Sequence, residues 1–455
     1  MNRFFIILSL VFFSLNISAP CYAQQFLAGA DLSYTNSILE NGGIYRDTQG
    51  NEVDPYLLFA QKGAKMIRIR LWHTPENITD HCGSPITANN LDDVVLAFQR
   101  AKTQGMLLNL AIHYGDYFND PGCQKMPAAW EGLSQSILLD SIYQYTIEVL
   151  DVLRAEDVVP DIVAIGNETT WGFVDETPTT NGWSWPQDAE KFNAALDAVD
   201  HFNNAHSATI KKALHFTDET AEWLAGLFED QGITNFDIIG LSYYPAWTEK
   251  TLQELGIMVA GLKSSYNKEI MILETGAAWT TGNSDGYTNF MNGYGVLDYE
   301  ISPQGQKSFL MDLANMVYVN GGAGILYWEP GWISSEMCDL WGQGSSYENV
   351  SFFDFNNNNA ALPAFDFFSY CNTFSVGSEL NSIELSAFPN PGKGTFTMLG
   401  LESDTEIRVS DSLGKLVKIS RTDGGVLLLN DLPNGAYFLT FRVKDTVRTR
   451  IVLKY

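Results

Sequence analysis

The feature that most constrains this chain is a repeat of short apolar runs and longer amphipathic stretches, continuing from residue 26 to about residue 370. Eight runs are predicted as strands: 26–31, 65–71, 106–112, 161–167, 212–217, 236–243, 269–274 and 323–328. Several, such as Ile270-Met271-Ile272-Leu273, are apolar at every position, as a strand buried on both faces must be. The stretches between them carry helical periodicity; Leu91, Val94, Val95, Phe98 and Ala101 fall on one helix face. Strands that alternate with helices pair in parallel, because each crossover is long enough to hold a helix. Eight such repeats predict an α/β fold closed into a TIM (β/α)8 barrel. No glycine-rich turn follows the first strand, which argues against a dinucleotide-binding open sheet.

Beyond about residue 380 the pattern changes. Basic and acidic residues roughly balance there, so nearly all of the net charge of -27 belongs to the barrel. Short alternating runs at 394–398, 406–410, 416–420, 425–429, 436–443 and 449–453 are separated by Asp423-Gly424, Pro433-Asn434-Gly435 and similar turns. They predict a small all-β sandwich at 376–455 after a barrel at 24–375. At the other end, Met1-Asn2-Arg3, the apolar Phe4 to Leu15 stretch and Cys21-Tyr22-Ala23 read as a cleaved signal peptide over 1–23. An exported protein forms disulfides. Of Cys82, Cys123, Cys338 and Cys371, the expected pair is Cys82 with Cys123, both in loops at one end of the barrel.

The excess of acidic residues excludes a nucleic-acid partner, which requires a basic surface. A neutral polysaccharide meets no such repulsion. An aromatic share of 13%, with 11 Trp, suits stacking on sugar faces and equally suits a large aromatic core. No Cys or His spacing marks a metal site, and no cofactor is expected.

Chemistry on such a barrel gathers at the C-terminal ends of its strands. Two glutamates stand there: Glu168 closes the fourth run, in Ala164-Ile165-Gly166-Asn167-Glu168, and Glu274 closes the seventh. One glutamate at a strand end caps a helix as readily as it catalyses. Two on strands that face each other across a barrel mouth have the arrangement needed for glycoside cleavage. A retaining enzyme holds its carboxyls about 5–5.5 Å apart, one giving a proton to the leaving oxygen and the other attacking the anomeric carbon. Further substrate-binding candidates share those strand ends. Asn167 is placed for a sugar 2-hydroxyl, and Arg70, on one face with Arg68, to keep Glu274 ionised. Tyr243 is a candidate hydrogen-bond donor to Glu274, Trp328 a stacking floor, and His113, Tyr114 and Asp116 polar contacts after the third strand.

These motifs together resemble glycoside hydrolase family 53, the endo-β-1,4-galactanases. The resemblance runs in order through Gly29-Ala30-Asp31-Leu32-Ser33-Tyr34, Ile67-Arg68-Ile69-Arg70-Leu71-Trp72, His113-Tyr114-Gly115-Asp116, Asp120-Pro121, Met126-Pro127-Ala128-Ala129-Trp130 and Gly166-Asn167-Glu168. It continues through Ser242-Tyr243-Tyr244-Pro245, Glu274-Thr275-Gly276, Tyr327-Trp328-Glu329-Pro330-Gly331-Trp332 and Phe353-Asp354-Phe355. It implies retaining hydrolysis of β-1,4-galactan and type I arabinogalactan side chains of pectin, with Glu168 as acid/base and Glu274 as nucleophile. Gly115, Phe118 and Gly331 stand where the family shows serine, tryptophan and alanine, which alters one aromatic contact. The stretch 331–347 is too short and too poor in carboxylates for the calcium-binding insertion of some relatives, so no calcium site is expected. The tail resembles the C-terminal sorting domain of the type IX (Por) secretion system. The matching residues are Phe388-Pro389-Asn390-Pro391, Asp411-Ser412-Leu413-Gly414-Lys415, Leu432-Pro433-Asn434-Gly435-Ala436-Tyr437 and Arg450-Ile451-Val452-Leu453-Lys454-Tyr455. That resemblance implies a secreted or surface-held enzyme with the export machinery as a partner. Two rivals share the paired glutamates or the barrel: a related hydrolase of β-mannan or β-glucan, and a barrel that binds glycans without cleaving them.

Overall fold

The computed structural model describes residues 26–177, 182–374 and 387–455, less 389, 391, 399, 400, 402, 413, 424, 444 and 445. The expected signal peptide lies outside the described residues, as does the stretch where barrel was expected to give way to tail.

Every apolar run forms a strand: β1 Leu27–Asp31, β2 Met66–Leu71, β3 Leu107–Ile112, β4 Ile162–Ile165, β5 Lys211–Thr217, β6 Ile238–Ser242, β7 Glu269–Glu274 and β8 Gly324–Tyr327. They pair in parallel in chain order, and β8 returns to β1 to close the barrel. Alternation within each strand serves two cores. Ile67, Ile69 and Leu71 of β2 pack outward into the helix layer, while Met66 joins Ala164, Ile238, Met271 and Leu326 inside the barrel. Each large apolar side chain so buried contributes about 1.5–3 kcal/mol. The helix layer is capped locally: Asn90 Oδ1 accepts the Asp93 N–H, and Thr251 and Glu254 form a reciprocal capping box.

The tail forms two small sheets, one of Ala387–Phe388, Thr395–Met398 and Val426–Leu428, the other of Leu416–Arg421, Glu406–Ser410, Gly435–Val443 and Thr446–Lys454. Phe396, Ile407, Val409, Leu427, Leu439 and Val452 are fully buried in their shared core, giving the sandwich that the alternation predicted.

The expected disulfide is corrected. Cys82 bonds Cys338, with Cα atoms 6.1 Å apart, and Cys123 is free. The loop after β2 reaches the loop after β8, where His81 N–H donates to Asp339 O at 2.7 Å. Cys123 sits instead in a tight Asp120–Cys123 pairing. Two loops at the same barrel end need not be neighbours around its rim.

Candidate active site

The C-terminal ends of the strands surround a cavity of about 730 Å³ that both Glu168 and Glu274 line. Each reaches it through a break in strand geometry. Beyond β4, Gly166 takes φ 77 and Glu168 φ 45, so the chain turns sharply as it leaves the sheet. A side chain at Gly166 would place its Cβ 2.5 Å from Thr169 Cγ2, so only glycine fits there. The left-handed glutamate costs about 1–3 kcal/mol. Gln124 steadies it by donating Nε2–H to Asn167 O at 2.8 Å.

On β7, Met271 and Leu273 face the barrel interior, so strict alternation would aim Glu274 outward. The pairing with β6 is irregular: Leu241 faces Ile272, yet Ser242 faces Glu274. One extra residue on β7 therefore turns Glu274 inward, a bulge beside the site it serves.

Arg68 Nη1 lies 2.7 Å from Glu274 Oε1 and 2.7 Å from Asp31 Oδ2. Asp31 also holds Arg70, whose other nitrogen pairs with Glu329. Charges thus alternate from Glu274 through Arg68, Asp31 and Arg70 to Glu329, and all five side chains are buried. Pairing of this kind is needed, since each isolated buried ion would cost several kcal/mol. Tyr244 Oη donates to Glu274 Oε2 at 2.8 Å. Among the described residues no cation pairs with Glu168.

Burial, then the neighbouring Glu274 charge, pushes the Glu168 carboxyl up to about 8. Burial raises Glu274 too, but Arg68 and the Tyr244 hydroxyl favour its ionised form. Of the two carboxyls, Glu274 is the one whose ionised form has a guanidinium and a hydroxyl beside it.

The remaining sequence candidates divide. Trp328 lines the cavity. Arg70 does not; it is fully buried on Asp31 and Glu329, with its guanidinium 5.3 Å from the Trp328 ring centre, so it braces the aromatic floor. Arg68, one pleat deeper, makes the contact with Glu274 expected of Arg70. Tyr243 points out of the barrel and donates to Lys250 O, and Tyr244, two residues beyond inward-facing Ser242, takes its expected place. Asn167 is fully buried beneath the cavity wall. Its Oδ1 accepts from Arg68 at 2.7 Å and its Nδ2–H donates to Asn119 O, so it holds the Glu168 turn.

His113, Tyr114 and Asp116 also leave the site. His113 Nδ1 accepts the Asn119 N–H, and Tyr114, at φ 52, turns its hydroxyl to Thr146. Asp116 accepts from Thr74 and from the Ala128 N–H. All three hold the loop after β3, and none lines the cavity. Sequence reading missed Trp171, Trp247, Phe290 and Asp218, which do line it. They sit in irregular loops, where periodicity carries no signal. Among the described residues no group of three His, Cys, Asp or Glu side chains is arranged to hold a metal.

A family model described as glycosyl hydrolase family 53 matches residues 27–368, and one described as a secretion system C-terminal sorting domain matches residues 386–454. The chain is 38% identical to an arabinogalactan endo-beta-1,4-galactanase of Cellvibrio japonicus (strain Ueda107), over 75% of this chain and 90% of that protein. It is 30% identical to an endo-beta-1,4-galactanase of Bacillus subtilis (strain 168), over 76% of this chain and 86% of that one. Among solved structures, the GH53 catalytic domain of Ignisphaera aggregans superposes with a TM-score of 0.69 at 31% identity, covering 77% of this chain and 98% of that domain. The chain belongs to glycosyl hydrolase family 53 and carries a C-terminal sorting domain.

Proposed function

We propose that the enzyme cleaves internal β-1,4-galactosidic bonds of galactan and type I arabinogalactan with retention, using Glu168 as acid/base and Glu274 as nucleophile. The observation that carries the division of roles is that a buried cation, Arg68, rests on Glu274, while among the described residues no cation pairs with Glu168. Glu274 attacks the anomeric carbon as Glu168 gives its proton to the departing glycosidic oxygen. The covalent galactosyl–Glu274 ester is then opened by water, whose proton returns to Glu168. The substrate follows from the galactanases that the barrel matches along nearly their whole length. The tail directs the enzyme through the type IX machinery to the cell surface or beyond it.

Reducing-end release from β-1,4-galactan, β-mannan and β-glucan, measured side by side, tests the reading, with proton NMR of the first-formed anomer. Release from galactan as the β-anomer is expected. Release from mannan or glucan alone overturns the substrate, a first-formed α-anomer overturns retention, and binding without release marks a barrel that only holds glycans.

A further inference from the structure

Trp171 stands three residues beyond Glu168, and Trp223 lies in the first turn of the Ala221–Asp230 helix that follows β5. Both are large apolar side chains left open, 44% and 49% exposed, where burial would have been favourable. Their rings touch, with centroids 5.4 Å apart and planes tilted by 41°, although one lies in the loop after β4 and the other in the helix after β5. Trp171 lines the cavity that holds the two glutamates, and Trp223 leans on it from outside, so the aromatic surface continues out of the cleft. Between this pair and the cavity floor the wall is polar: Thr217, Asp218, Glu219 and Thr220. Asp218 is tied down by the Thr248 hydroxyl at 2.7 Å and lies 3.7 Å from Lys250 Nζ.

The position of the pair fixes which part of a bound chain it meets. The proton donor stands beside the departing saccharide, and Trp171 and Trp223 lie on the Glu168 side, over β4 and β5, away from Glu274 and Trp328. We infer that Trp171 and Trp223 form a stacking platform for the leaving-group portion of the galactan chain, which selects long neutral chains over short substrates. This rests on the galactan reading above. A galactosyl ring offers one apolar face to an indole and hydroxyl donors at its edge, matching indoles bordered by acceptor carboxylates. Glu219, exposed on that wall, would repel a uronic-acid polymer, so the platform also favours neutral side chains over an acidic pectin backbone.

The full-length enzyme and its Trp171→Ala, Trp223→Ala and Trp171→Phe variants are compared on β-1,4-galactan and on a nitrophenyl β-1,4-galactobioside, whose leaving group is one small ring. One lost stacking contact predicts a fall in kcat/KM on galactan on the order of tenfold for Trp171→Ala, and less for Trp223→Ala. On the aryl substrate the loss is smaller by about threefold or more, and Trp171→Phe recovers most of the galactan activity. Equal losses on both substrates, or variants that match the parent on galactan, overturn the platform while leaving the galactan reading intact. A parent enzyme that releases nothing from galactan overturns that reading and the platform with it.

Discussion

Beneath the barrel mouth Asp31, Arg68, Arg70, Glu274 and Glu329 are buried together, whereas the tail's core is Phe396, Ile407, Val409, Leu427, Leu439 and Val452. Among the described tail residues no charged side chain is buried. The same chain thus builds one interior that carries ions, held only by mutual pairing, and one that carries none. An interior of the second kind serves folding alone. The first kind accepts desolvated charge, a left-handed glutamate and a bulged strand, all converging on one cavity, because its task is chemistry.

The difference can be broken experimentally. Glu168→Gln and Glu274→Gln should each lower kcat on galactan by about a thousandfold with near-native circular dichroism, since amides keep shape but lose proton transfer or attack. The pH profile sharpens this. In the proposed role Glu168 needs its proton, so activity should fall as pH rises through about 8, and that alkaline limb should vanish from the residual rate of Glu168→Gln. A retained limb would assign the acid elsewhere.

The tail should answer in the opposite way. Phe396→Ala empties a fully buried site and should cost the tail about 3–5 kcal/mol, seen as a lowered or missing calorimetric transition, with galactan turnover nearly unchanged. A matching loss of turnover would show the two interiors to be coupled.

A smaller effect is expected within the barrel. Tyr244→Phe removes a hydrogen bond that favours the ionised form of Glu274, predicting about a tenfold loss in kcat/KM and an acid limb moved to higher pH. Tyr243→Phe, one residue away, should stay within about twofold, its hydroxyl serving only Lys250 O. Reversed magnitudes would refute the assigned facing of β6.

These cases mark what the sequence made legible. Each strand was readable because a wall buried on both faces must be apolar throughout, and Glu168 and Glu274 were readable because a carboxylate interrupts such a run at its end. Facing was harder. Ile238, Gly240 and Ser242 point inward, so parity alone identifies Tyr244, but the extra residue that turns Glu274 inward has no local signature. Arg68 and Arg70 share a face, and which of them meets Glu274 depends on Asp31 and Glu329, far away in sequence. The loop aromatics obey no period, and the partner of Cys82 depends on which loops adjoin around the rim.

The Cys82–Cys338 bond joins positions 256 residues apart, one on the segment after the second strand and one on the segment after the eighth. It therefore works as a clasp across the seam where the first and last parts of the barrel meet. A clasp at that place closes only where both segments meet in an oxidising space, and it then holds the two ends of the barrel together. Once shut, it denies the unfolded chain much of its freedom, which for a ring this long stabilises the folded enzyme by roughly 2–5 kcal/mol. The safeguard suits an enzyme that works at the cell surface or beyond it.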